Sequence, residues 1–176
     1  MKFEDKDVTS KDYDEYWKKA GVLTDERVSE VAGLIPEFEN GVDLGGGTGG
    51  LATLKDMLVV DWSDVACKVA QDNGLKVEKA NILDFLKTDR KFDLVVLADV
   101  LEEMKASETD AVLDGVAKIC TKYFVISTPT HENYLDISTH QVIYDRDELI
   151  KIIEDRGFTF EEEVFYKDRL VARFKI

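Results

Sequence analysis

The sequence predicts an α/β fold: a doubly wound, mostly parallel sheet of seven strands, with helices on both faces and an antiparallel hairpin at the C-terminal end. Three observations predict it. Short apolar runs alternate with helix-period segments, the pattern of right-handed strand–helix–strand crossovers. The run Phe92–Ala98 is the most apolar in the chain, as in a strand covered on both faces. The last two segments instead alternate apolar and polar residues around Tyr166-Lys167-Asp168-Arg169, as two strands of a hairpin do.

Each element follows in order. Residues 1–23 are polar around an aromatic island, Tyr13, Tyr16 and Trp17, which reads either as a lid over a ligand or as an amphipathic helix packed on the body. Thr24-Asp25-Glu26 caps a helix whose apolar positions are Val28, Val31, Leu34 and Ile35, and Pro36 ends it. The first core strand is Gly41–Leu44. A short helix is expected over residues 50–56, then a strand over Met57–Asp61. Ser63 caps a helix that stops at Asn73-Gly74. A strand over Leu75–Lys79 and a loop or short helix around Ile82, Leu83, Phe85 and Leu86 lead to the Phe92–Ala98 strand. A helix over Glu108–Cys120 and a strand over Tyr123–Ser127 follow. Residues 128–145 form a long connection, and such loops are usually functional or disordered. A helix over Asp147–Arg156, stopped by Gly157, precedes the hairpin Phe158–Phe165 and Leu170–Lys175.

The bulk figures leave room for one domain, residues 1–176, with 1–23 as a lid or arm and 128–145 as a substrate-side loop. Acids outnumber bases 37 to 23, for a net charge of −14, which argues against a nucleic-acid partner. The charged start Met1-Lys2-Phe3-Glu4-Asp5 lacks the apolar core of a signal peptide, and no apolar run is long enough for a membrane. A cytoplasmic chain is expected, with Cys67 and Cys120 as buried thiols. Neither cysteine has metal-ligand spacing and the two histidines lie far from both, so no metal is expected.

The chemistry should sit just after each strand, at the carboxyl edge of the sheet. There Val42-Asp43-Leu44 runs straight into Gly45-Gly46-Gly47-Thr48-Gly49-Gly50, a turn where backbone comes close to a ligand. Gly45, Gly47 and Gly50 fit the G-x-G-x-x-G pattern of dinucleotide sites. Those sites offer bare N–H groups to phosphates, which a carboxylate at position 43 would oppose. Asp43 suits a ligand carrying positive charge.

The chain resembles the class I S-adenosylmethionine-dependent methyltransferases over essentially its whole length. Val42–Gly49 is similar to that family's first motif, and Val59-Val60-Asp61-Trp62-Ser63 to its second. Phe92–Glu102 resembles its fourth-strand signature, Tyr123–Pro129 its fifth strand, and Asp147-Glu148-Leu149 with Arg156-Gly157-Phe158 its last helix and turn. The resemblance implies S-adenosyl-L-methionine as cofactor. It implies that Gly45, Gly46 and Gly47 cradle the methionine part and that Asp43 helps to hold the positive end. Asp61 would accept the ribose hydroxyls, Trp62 and Ile82 would pack on adenine, and Asn81, where the family often has Asp, would meet its amino group. Ala98 and Asp99 would lie under the methionine part, and Tyr16 would belong to the lid. The interval from Gly49 to Asp61 is twelve positions, too short for a dinucleotide acid about 20 residues on. A nicotinamide oxidoreductase is the rival on the glycine pattern, though this interval counts against it, and a catalytically silent cofactor-binding or partner module is the alternative on the same fold.

The reaction implied is in-line displacement at a sulfonium methyl, with catalysis mainly by positioning. The acceptor would be an oxygen or nitrogen of a small molecule or a protein side chain. Ala98-Asp99-Val100-Leu101 excludes the Asn/Asp-Pro-Pro-aromatic branch that methylates DNA and amides. Base candidates are His140, His131, Glu102, Glu103 and Tyr144, with His140 first and His131 second. The pair Glu102-Glu103 also reads as a solvated helix start favoured by the helix dipole. The compact mouth would be open to a macromolecule or closed by a second copy in a homodimer.

Overall fold

The computed structural model describes residues 2–4, 6–20, 26–130 and 139–176. The chain forms β1 (Lys2–Phe3), α1 (Ser10–Ala20), α2 (Glu26–Leu34), β2 (Gly41–Leu44), β3 (Leu58–Asp61), α3 (Asp64–Asp72), β4 (Val77–Lys79), α4 (Ile82–Phe85) and β5 (Phe92–Ala98). Two 3-10 turns, Leu101–Glu103 and Ala106–Glu108, lead to α5 (Thr109–Ile119) and β6 (Cys120–Pro129). Then come β7 (Val142–Ile143), α6 (Arg146–Glu154), β8 (Thr159–Tyr166) and β9 (Arg169–Lys175).

Seven strands form one sheet in the order β4-β3-β2-β5-β6-β9-β8. The first five are parallel; β9 runs antiparallel to β6, and β8 to β9. The chain starts in the middle at β2, winds outward to β4, then returns to β5 on the other side. The switch point therefore lies between β2 and β5, where a crevice opens at the carboxyl ends of the strands.

Successive strand residues face opposite sides of a sheet, and this one is covered on both. Val95, Leu97, Phe124, Ile126, Leu170 and Phe174 pack with α5 and α6. Their neighbours Leu94, Val96, Val125 and Val171 pack with Val31 and Leu34 of α2. Asp43 lies on the α2 side. Its register partners there are Val59 and Val96, both fully buried, so a carboxylate is held among valines.

Local chemistry accounts for the helices. The Ser63 hydroxyl accepts from Ala66 N–H (3.1 Å) to start α3, and Gly74 (φ 77°) follows its last turn. Asp145 accepts from the N–H groups of Asp147 and Glu148 to start α6. Cys67 and Cys120 are free and buried.

Three expectations change, and one open alternative narrows. Residues 50–56 form turns rather than a helix. Thr53 N–H reaches the Gly49 carbonyl (3.0 Å) and Lys55 N–H the Leu51 carbonyl (2.9 Å), but no regular ladder develops from a start at Gly49-Gly50. The aromatic island lies on a helix, α1, with no fully buried residue. β1 pairs antiparallel with β7, so the start of the chain is tied to the 128–145 connection. β6 begins at Cys120, directly after α5, with a register irregularity against Phe92–Leu94. Thr24, Asp25 and residues 131–138 lie outside the described residues. No helix among the described residues is long and apolar enough to cross a membrane.

Candidate functional site

A cavity of about 550 Å³ opens at the switch point. Asp43, Gly45 and Gly46 line it from the end of β2, Asp61 and Trp62 from β3, and Asn81 and Ile82 from the start of α4. Ala98 and Asp99 line it after β5, His140 comes from the connection to β7, and α1 contributes Tyr13, Tyr16 and Trp17.

The glycine turn is built around Asp43. A Cβ on Gly46 would come 2.6 Å from Asp43 Oδ2, so only glycine leaves room for the carboxylate beneath the turn. Gly47 has φ 55°, and a Cβ there would come 2.3 Å from Trp17 Cζ2. Trp17 therefore lies against the turn itself, while the neighbouring Tyr16 is 45% exposed. The N–H groups of Gly45 and Gly46 donate to the Val60 carbonyl, that of Gly47 to Asp61 Oδ2 and that of Gly49 to the Gly46 carbonyl. These four donors are turned inward, onto the protein rather than toward a ligand.

Two buried polar atoms of opposite kind have no hydrogen-bond partner among the described residues: Asp43 Oδ1 and Trp17 Nε1. Burial, and then repulsion from Asp61, pushes the Asp43 carboxyl up to about 7. A buried acceptor and a buried donor left open in one cavity are costly unless a ligand meets them.

Asp61 is also buried, and burial raises its carboxyl, though less cleanly. Its oxygens accept from the N–H groups of Gly47 (2.9 Å) and Ser63 (2.8 Å), which pull the other way. Those bonds fix the carboxylate in place and leave it further acceptor capacity. Asn81 is more committed than its sequence position suggests. Its side-chain oxygen caps α4 by accepting from Leu83 N–H (2.8 Å), which leaves its amide nitrogen for a ligand.

Asp99 adopts φ 57°, uncommon for a residue other than glycine. It accepts from Ser127 Oγ (2.7 Å) and Arg169 Nη1, and Arg27 Nη1 lies 3.7 Å away. Arg169 also reaches Glu102 Oε1 (3.4 Å).

The base candidates separate. His140 is buried and lines the cavity; His131 lies outside the described residues. The Tyr144 hydroxyl is buried against Thr109 Oγ1 (2.7 Å), away from the cavity lining, and burial raises its pKa. The Glu102-Glu103 pair is not a solvated helix start. Glu102 is fully buried, bonded to Thr128 Oγ1 (3.1 Å), and burial lifts its carboxyl well above the usual range. Glu103 lines the cavity and accepts from Tyr13 OH (2.8 Å) and Thr139 Oγ1 (3.0 Å). Trp17 and Tyr13 were legible only as part of an aromatic island, and nothing in the sequence pointed to Arg169.

Comparison with known proteins agrees with this geometry. A family model described as a methyltransferase domain matches residues 16–163. No curated protein matches. Among solved structures, the chain is similar to a SAM-dependent methyltransferase of Thermotoga maritima, with 18% identity, TM-score 0.74 and 94% of each chain covered. It is similar to the magnesium protoporphyrin IX methyltransferase of Synechocystis with bound SAH, with 17% identity, TM-score 0.68, and 98% and 90% covered. It is also similar to the N-methyltransferase NodS of Bradyrhizobium japonicum in complex with S-adenosyl-L-homocysteine, with 20% identity, TM-score 0.68, and 85% and 83% covered. An acid buried under an inward-bonded glycine turn, on this strand order and within the matched span, leads to one family: the chain belongs to the class I S-adenosylmethionine-dependent methyltransferases.

Proposed function

We propose that the chain, as a single domain, transfers a methyl group from S-adenosylmethionine to an oxygen or nitrogen of a small molecule or a protein side chain. One observation carries the cofactor assignment. The open Asp43 carboxylate oxygen lies under a glycine turn in which the Gly45, Gly46 and Gly47 N–H groups are already bonded, an arrangement that suits a cation and opposes a phosphate. When bound, S-adenosylmethionine supplies a methyl group on a sulfonium with a good leaving group.

The chain's own residues bind, orient and exclude water. Asp43 would hold the positive end, and the open Trp17 N–H suits the carboxylate of the methionine part. Gly45, Gly46 and Gly47 would let that part lie on the backbone. Asp61 would take the ribose hydroxyls, Trp62 and Ile82 the adenine faces, and Asn81 the adenine edge through its amide nitrogen. Ala98 and Asp99 would bound the methionine side, and Tyr16 would stand at the rim. Helix α1 would keep water out, which favours a displacement governed by orientation. His140, which lines the cavity, would be a candidate proton carrier.

Calorimetry with S-adenosylmethionine, S-adenosylhomocysteine and NAD tests the reading. Heat is expected from the first two, and heat from NAD alone sinks it. The Asp61→Ala variant is expected to bind S-adenosylmethionine more weakly by about 1–3 kcal/mol, the scale of lost charged hydrogen bonds. Unchanged affinity in a folded variant rules out the ribose role.

A further inference from the structure

We propose that the methyl acceptor is a small amine, and that Glu103, seated in the cavity wall between Tyr13 and Thr139, binds its ammonium and takes its proton. The proposal rests on the methyl-transfer reading above and names the substrate class for it.

The first support is geometric. Glu103 ends the 3-10 turn after β5, and two hydroxyls fix its carboxylate: Tyr13 OH (2.8 Å) from α1 and Thr139 Oγ1 (3.0 Å) from the β7 side. An ionised carboxylate offers about four lone-pair sites, so two bonds leave room for an ammonium. Among the described residues Glu103 has no cationic partner.

The second support is the charge of the cavity. Besides His140, three bases line it, and all three are engaged by acids of this chain: Arg27 and Arg169 by Asp99, and Lys105 by Asp7 (3.7 Å). Asp43 and Asp61 are claimed by the cofactor reading. Glu108 is bonded to the Lys105 N–H (3.1 Å). Glu103 differs from Glu108 in being fixed by hydroxyls from two facing elements, and a carboxylate or phosphate acceptor would meet repulsion there.

The third support is space. The cavity of about 550 Å³ is ordinary for one ligand and would hold the cofactor and the reacting end of the acceptor together, which favours a small molecule. Apolar lining on this side comes from Tyr13, Met104 and Val8.

An amine needs such a group because an ammonium has no lone pair with which to attack. Burial pushes the Glu103 carboxyl up to about 7, helped by Asp99 and Asp61 and opposed by the two hydroxyls, so it exchanges protons near neutral pH. The N–H bond breaks, an O–H bond forms on Glu103, and the freed pair makes the N–CH₃ bond. The C–S bonding pair stays on sulfur, and the positive charge passes to the methylated nitrogen. Glu103 then releases its proton to solvent.

The test uses the whole chain saturated with S-adenosylhomocysteine. Calorimetry compares three probes with the same ring: 2-phenylethylamine, 2-phenylethanol and phenylacetate. The amine is expected to bind at least tenfold more tightly than the other two. Its affinity should rise from pH 6 to pH 8 as Glu103 ionises. His140 and Asp43 line the same cavity, so Glu103→Gln separates Glu103 from both. That variant should keep its S-adenosylhomocysteine affinity, which also reports folding, and lose amine affinity at least tenfold together with most of the pH dependence. An amine that binds no better than the alcohol or acid, or that binds Glu103→Gln as well as the native chain, overturns the proposal. If neither cofactor form binds the native chain, the methyl-transfer reading fails instead.

Discussion

Asp43 burdens the protein before any ligand arrives. Its carboxyl sits near 7 when folded against an ordinary 3.8. Between those values the folded chain keeps a proton that the unfolded chain has lost, so folding stability from this group is present at low pH and drains away as pH rises to about 7. Asp43→Asn removes the drain. We expect the unliganded variant to be more stable than the native chain at pH 7.5, by about 1–3 kcal/mol, with the gap closing toward pH 4. Denaturant melts across that range check it, and a less stable variant at pH 7.5 contradicts it. The same change should cost at least tenfold in S-adenosylmethionine affinity, because a cation binds the ionised form. Native affinity should therefore fall as pH drops below 7 and the variant's profile should flatten. The position of Asp43 was legible because strand, acid and glycines are contiguous. Glu103 was legible as a base candidate, but its seat and that of Arg169 were not: Tyr13 meets Glu103 across 90 positions, and Arg169 meets Asp99 across 70.

Among the elements, those with a full hydrophobic period were legible. β5 and β2 stand within their predicted bounds, and α3 begins and ends on the cap and stop residues the sequence offered. Two-residue strands carry no period, which hid the β1–β7 pair. That pair is held through Gln141. Its backbone carbonyl accepts from Glu4 N–H (2.7 Å), its side-chain oxygen from Lys6 N–H (3.0 Å), and its amide donates to the Glu103 carbonyl (2.7 Å). Gln141→Ala keeps the first bond and removes the other two. The expected loss is about 1–3 kcal/mol, because partly buried partners are left open. Hydrogen exchange should speed up at Lys6 and Val8 while the β5 and β6 amides stay protected. Equal exchange at Lys6 in both proteins would contradict this tie.

For the whole molecule, the net charge of −14 acts at a distance. S-adenosylmethionine carries net positive charge near neutral pH, so its approach is favoured by the field and screened by salt. Its association rate, measured by stopped flow, should fall severalfold between 20 mM and 500 mM salt, and a flat dependence would remove this role of the acid excess. The layered architecture was legible from β5 alone, since an all-apolar strand needs cover on both faces. The arrangement of α1 across the cavity was not, because its half-buried face is shared between Glu103, Ser63 and the glycine turn, which the sequence keeps far apart. That arrangement has a practical side. The chain has two tryptophans, Trp17 and Trp62, and both line the cavity. Its indole emission therefore comes entirely from the binding site, and an unlabelled sample excited at the red edge of protein absorbance carries its own optical gauge of occupancy.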